Sequence, residues 1–359
     1  MDSHDNLLTK FGAKGDGETD DTVAFQKAVD ALAEKGGGTL CVPDGHYLIS
    51  HLKMKPFVGL YAHPTWGYRG NSHGATLIEA CDPNVNCLID ITGAIGSTID
   101  GLVLLGNRIG KGMHGILNDK SDIGEQEDTQ RIERTKVHGF TGCGVKLEKV
   151  WCFTIRHNML SHNVEDGLCQ NGWDGFVLDN WLSGNGRAGY GGWECNASVT
   201  MTGNRIEWNG AGGIVLRYAY DYNITGNFID RSFGPAIDIR PQIRDGERNP
   251  CHDMTITGNI FRRSGKTAKE RLSNTHVYLE GASGIVMVGN QMAAGQDDLG
   301  KGRFTPDSCI IYKSLTDCII KDNVMGKGAM KELNIDLGEH GENLLFKDNI
   351  GSILQTTTN

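Results

Sequence analysis

The chain of 359 residues has no run of roughly 18 consecutive apolar residues, the length a bilayer-spanning helix needs, so no membrane partner is expected. Its start, MDSHDNLLTK, lacks the basic residues and apolar core of a secretory leader, which leaves a cytoplasmic location open. Positive charge is scarce as well. Lys and Arg number 35 against 44 Asp and Glu, a net charge of −9, so there is no basic excess to release counterions from a nucleic acid, and nucleic acid is not an expected partner. An acidic polysaccharide would need a local basic patch. The ten cysteines are scattered without a C-x-x-C pair or another metal spacing; reduced, packed thiols and no metal or cofactor are expected. Only eight prolines and 7% aromatic residues accompany 50 glycines, the composition of a soluble chain rich in tight turns rather than a helical one.

What the chain does contain is a repeat. From residue 150 onward the phrases FTIRHNML, GFVLDNWL, VTMTGNRI, YNITGNFI, MTITGNIF, IVMVGNQM, CIIKDNVM and LLFKDNI recur, anchored on Asn158, Asn180, Asn204, Asn227, Asn259, Asn290, Asn323 and Asn349. The first three spacings are 22, 24 and 23 residues. Three positions before each anchor stands an apolar residue, from Ile155 to Phe346, and two positions after it another, from Leu160 to Met325. A period of two nested in a period near 23 describes strands stacked in a solenoid. A second strand ten residues after the anchor (GLCQ, IVLR, IDIR, then VYLE, IIYK and IDLG) predicts three short strands per turn, with the asparagines stacked as an internal ladder. The fold class expected is all-β: a right-handed parallel β-helix with three sheets, forming a single domain over 1–359. It has an N-terminal cap over 1–38, rungs over about 39–352 and a short C-terminal tail. Phe25, Ala28, Val29 and Leu32 mark one face of a capping helix near 20–35, and Gly36 to Gly38 mark its stop.

The segment FGAKGDGETDDTVAFQKAVDA, followed by GGGTLCVPDGHYLI, resembles the N-terminal signature of the pectate-lyase-like β-helix superfamily, and the GN-type rungs resemble its repeats. The resemblance covers most of the chain and implies the fold. It does not imply one reaction, because members include polysaccharide lyases, glycoside hydrolases, uronate epimerases, inulin fructotransferases and phage tailspikes. It also implies secretion and a monomer or homotrimer. IRPQIR is similar to the R-x-P-x-x-R segment of pectate lyases but is one residue short, and neither the paired acids of polygalacturonases in full nor the W-x-D-H signature of pectate lyases is present.

Alternation along the second strand of each rung predicts two outward columns. One runs Lys146, Cys169, Gly191, Val215, Asp238, Tyr278, Ile311, Asp336, and the other Glu148, Asn171, Trp193, Arg217, Arg240, Glu280, Lys313. Asp238, Glu280, Arg217 and Arg240 are the expected catalytic group. Trp193, Glu194, Tyr278, Arg244 and His276 are the expected substrate contacts. Long stretches at 240–255, 260–276 and 291–309 are expected to wall a cleft with Asp238 at its floor. An alternative site is Glu165 with Asp166.

The expected function is a carbohydrate-active enzyme that cleaves or rearranges glycosidic bonds of a poly- or oligosaccharide, with Asp238 and Glu280 or Glu194 as its carboxylates. The alternative is a lyase or epimerase for a uronate polymer. There Arg217 and Arg240 neutralise the sugar carboxylate, and an arginine, His276 or Tyr278 moves the C5 proton. A non-catalytic glycan-binding or tailspike-like protein, or an enzyme with a small non-carbohydrate substrate, stands behind both.

Overall fold

A computed structural model describes residues 7–67, 74–266, 273–294, 302 and 304–354. It divides into two compact units, Met1–Phe176 and Val177–Asn359. Among the described residues no helix is long and apolar enough to cross a membrane.

In the first unit the helix Thr22–Ala33 buries Phe25, Ala28 and Val29 completely, the face its spacing predicts. Leu32, expected on that face, is half-buried, and the chain turns away through Gly37, whose φ of 122° and N–H bond to the Leu32 carbonyl end the helix. Asp21 precedes the helix without capping it; its carboxylate instead accepts the backbone N–H groups of Lys14 and Gly15 at 2.8 and 3.0 Å. Asp16–Asp20 forms a parallel strand beside Gly45–Ile49. Successive strands then stack in parallel, three rows to a turn. His114–Asp119 pairs with Cys87–Asp90 and with the start of Val145–Arg156, and Lys136–His138 lies between Val103–Leu105 and Met159–Ser161. Two rows run into each other because Val145–Arg156 bends round a corner at Lys149 and Cys152, which have φ of 49° and 60°.

The second unit repeats this arrangement. One row contains Gly212–Arg217, Ile237–Arg240, Thr275–Glu280 and Ser308–Lys313, in register Val215↔Asp238↔Tyr278↔Ile311. The apolar positions of the repeat point inward: Val177, Met201, Ile224, Ile256, Met287 and Ile320 are all fully buried. Between two rows runs the asparagine ladder. Each side-chain oxygen from Asn204 to Asn349 accepts both the backbone N–H and the side-chain amide of the anchor one rung before it, at 2.9–3.1 Å. The residue before each anchor must be left-handed, which explains the G-N and D-N phrases. Gly203, Gly226, Gly258 and Gly289 have φ of 65–70°, and Asp179, Asp322 and Asp348 take the same conformation at 53–55°.

All ten cysteines are free thiols, six of them buried.

Candidate active site

The strand Ile237–Arg240 alternates as expected, with Ile237 and Ile239 fully buried in the core and Asp238 and Arg240 on the outer face. Asp238 is nevertheless only 5% exposed, because two guanidiniums cover it. Arg240 Nε donates to Asp238 Oδ1 at 2.7 Å, and Arg217 Nη2, one rung back, donates to Oδ2 at 3.2 Å. Arg217 is pinned further by donating from Nη1 to the carbonyls of Leu216 and Asp238 at 2.8 and 3.1 Å. The acid and base that stand side by side in the sequence are thus one bonded unit, a carboxylate holding two arginines at fixed angles.

On the next rung Tyr278 pairs with Asp238. It was expected to offer a ring face to a sugar. Instead the residue is 3% exposed and the Arg240 guanidinium lies 4.2 Å above its ring. Its hydroxyl donates to Glu280 Oε2 at 3.1 Å, and burial together with that carboxylate pushes its pKa up to about 12. Glu280 Oε1 faces Arg248 Nη2 at 3.7 Å. Lys313, one rung beyond Glu280, pairs with Glu339 at 3.1 Å.

Trp193 is half-buried, with Arg187 at 4.3 Å and Arg217 at 5.8 Å from its ring. Glu194 is exposed and lies 3.6 Å from Arg244, itself 64% exposed, so both are rim charges. His276 requires a correction. Expected at the surface, it is fully buried; its Nε2 lies 2.8 Å from the Gly328 carbonyl, and burial lowers its pKa to about 4. The outward phase of the strand is right, but chain from a neighbouring row covers it, so the His276 side chain does not open onto the outer face.

The long stretch after Arg240 is a β-hairpin, Gln242–Arg244 against Glu247–Asn249, turning through Asp245 and Gly246 at φ of 52° and 82°. The Asp-Gly pair between alternating residues is the signal that identifies it. Gln242 Nε2 donates to the Trp193 carbonyl at 2.9 Å, and Arg248 leans over Gly281, where a Cβ would lie 2.2 Å from its Nη2. Much of the other two expected walls, 267–272 and most of 295–303, lies outside the described residues. Sequence reasoning missed Arg187, Arg248 and Ser273, whose Oγ accepts from Arg240 Nη2 at 2.5 Å. All three lie outside the repeat positions that defined the columns.

The profile of the family described as right-handed beta helix region matches residues 92–239, 143–292 and 193–350. The chain belongs to the right-handed β-helix family. A second profile, rhamnogalacturonase A/epimerase, pectate lyase-like, matches residues 6–68, the segment of the N-terminal signature. Among curated proteins the chain is similar to mannuronan C5-epimerase AlgE5 of Azotobacter vinelandii, 31% identical over 274 residues, covering 70% of this chain and 26% of that protein. It is also similar to alginate lyase 7 of the same organism, 30% identical over 196 residues, covering 50% and 22%. This β-helix chain therefore spans about a quarter of the length of those relatives. Among solved structures, the A-module of Azotobacter vinelandii mannuronan C-5 epimerase AlgE4 superimposes with a TM-score of 0.68 at 19% identity, covering 96% of this chain and 99% of that one. DFA-IIIase from Arthrobacter chlorophenolicus A6 superimposes at 0.65 with 11% identity and 98% of both chains. Both likenesses show the fold.

Proposed function

We propose that this β-helix acts on an acidic, uronate-type polysaccharide by chemistry at C5 of the sugar. The observation that carries the reading is the gathering of Arg187, Arg217, Arg240 and Arg248 round Trp193, Asp238 and Glu280 in a chain of net charge −9. A local excess of guanidiniums on an acidic protein suits an anionic glycan, and planar donors suit its carboxylates. The curated relatives named for mannuronan and alginate support the same substrate class.

In this reading Arg217 and Arg240 bind the carboxylate of one uronate and stabilise the charge that develops on it when the C5 proton leaves. Asp238 is a positioning residue. Both its oxygens are engaged and it has little access to substrate, which disfavours it as the nucleophile of a glycoside hydrolase. Glu280, whose side chain is partly exposed, takes the proton, and Tyr278, protonated at neutral pH, holds its second oxygen. Returning a proton to the opposite face of C5 gives epimerisation; expelling the O4 substituent with the C5 electron pair gives elimination. Incubation with polymannuronate, polygalacturonate and a neutral fructan in deuterated buffer separates the outcomes. Deuterium at C5 with intact chains marks an epimerase, and ultraviolet absorbance of an unsaturated uronate marks a lyase. New reducing ends without either, or turnover of the fructan alone, refutes the proposal.

A further inference from the structure

The first unit contains a second cluster, which joins Cys169 of the first outward column and the acidic pair Glu165 and Asp166 to His114 and Cys143. His114, Cys143 and Asp166 occupy one column on three successive rungs, because Gly115 N–H bonds to the Cys143 carbonyl at 3.1 Å and Gly144 N–H to the Asp166 carbonyl at 3.0 Å. Cys169 follows three residues after Asp166, and Glu165 precedes it. The ligand atoms of Cys143, Asp166 and Cys169 all lie within 4.8 Å of one another, and so do those of His114, Cys143 and Glu165. Cys143 belongs to both sets. Cys143, Asp166 and Cys169 are buried, whereas His114 and Glu165 are half-buried and open the cluster toward solvent.

From this geometry we infer that Cys143, Cys169, Asp166 and Glu165 form a zinc site that ties consecutive rungs together. Two thiolates and two carboxylates are a donor set that a borderline-soft, tetrahedral cation accepts. Bonds of about 2.3 Å to sulfur and about 2.0 Å to oxygen place ligand atoms closer together than the 4.8 Å that bounds Cys143, Asp166 and Cys169, and Cys143 with Glu165, so binding draws Glu165 in toward the other three through the Cys143 thiol they share. Cys143 Sγ already donates to Glu165 Oε2 at 3.3 Å, which marks the proton that the ion replaces. Binding releases one proton from each thiol, both leaving to solvent, and no electron moves. The neighbouring groups suit the ion. His114 Nδ1 accepts the Cys143 backbone N–H at 2.9 Å and so orients the loop that carries the thiol. Lys146, 3.3 Å from Glu148 on the strand that follows Cys143, adds positive charge near the two thiols. Asn171 Nδ2 lies 3.9 Å from Cys169 Sγ and donates to both oxygens of Glu148 at 3.0 Å, closing the far side. The site shares no residue with the arginine cluster, so it stands or falls apart from the proposed activity.

The test begins with the full chain, reduced, dialysed against chelator and titrated with zinc chloride. The expected result is one equivalent bound with a Kd below about 0.1 μM at neutral pH, in the range of structural zinc sites. X-ray absorption at the zinc edge should show two sulfur neighbours at about 2.3 Å. Cys143→Ser with Cys169→Ser should abolish that binding, while Cys309→Ser, at another buried thiol, should leave it unchanged. The absorption spectrum of the unaltered chain decides the matter even if the double variant does not fold. A shell of oxygen and nitrogen alone, zinc uptake that survives the double substitution, or a Cys143–Cys169 disulfide whose reduction restores no zinc binding would each overturn the inference.

Discussion

Replacing Asn227 by alanine removes one step of the ladder, and the structure states what is lost. The Asn227 side chain accepts the Asn204 N–H at 3.0 Å and the Asn204 amide at 2.9 Å. It donates to the Met201 carbonyl at 3.0 Å, to Asn259 Oδ1 at 3.0 Å and, at a longer 3.3 Å, to the Thr225 carbonyl. Two of these partners keep another bond: the Asn204 amide still reaches the Val177 carbonyl, and Asn259 Oδ1 still accepts the backbone N–H of residue 227. The Asn204 N–H and the side of the Met201 carbonyl that faced the amide lose that partner in a buried row. At about 1–3 kcal/mol for each buried group left without its partner, the substitution should cost about 3 kcal/mol. For a chain of this size, at about 2.1 cal/mol/K of unfolding entropy per residue, the melting temperature should fall by about 4 °C. Asn223→Ala, four residues earlier and exposed, is the control and should change it little. Asn227→Ala combined with Asn259→Ala should cost less than the sum of the two, because they share a bond. Calorimetry, with activity per folded molecule measured alongside, checks the three single variants, Asn223→Ala, Asn227→Ala and Asn259→Ala, and the double. A melting temperature for Asn227→Ala within the error of the wild type would refute the reasoning that the ladder holds the rungs.

Asp238→Asn keeps the shape but weakens the hold on two guanidiniums, so turnover on a polyuronate should fall at least about a hundredfold while the melting temperature stays close to native; kinetics and calorimetry on one preparation check this. Glu280→Gln should remove turnover but leave polyuronate binding, measured by calorimetry, within a few-fold of native; retained turnover would remove Glu280 as the base. Because burial holds the His276 pKa near 4 against 6.5 unfolded, the unfolded chain takes up its proton first as the pH falls. Stability should therefore be lost between about pH 6.5 and pH 4, by up to about 3 kcal/mol from this residue, and His276→Gln should flatten that part of the stability–pH curve measured by denaturant titration.

The architecture was legible because a β-helix writes its geometry into the chain at short range. The 23-residue recurrence, the inward residues at Met201 and Ile224, and the glycine or aspartate that must turn left-handed before each anchor are all set by neighbours in sequence. The same local logic placed Asp238 beside Arg240 and brought Arg217 one rung behind them. Residues outside the repeat obeyed no such rule. Arg248 reached Glu280 through a hairpin, and His276, correctly phased outward, was buried by chain 52 residues further on. Alternation tells which way a side chain leaves its strand; it does not tell what covers it. Nor does spacing along the chain reveal Cys143 beside Cys169, since their 26-residue separation becomes a single rung only when the strands have stacked. Periodicity determined the coil and its inner face. Tertiary stacking decided which charges and thiols meet, because adjacent rungs turn distances of more than twenty residues into contacts of a few ångströms.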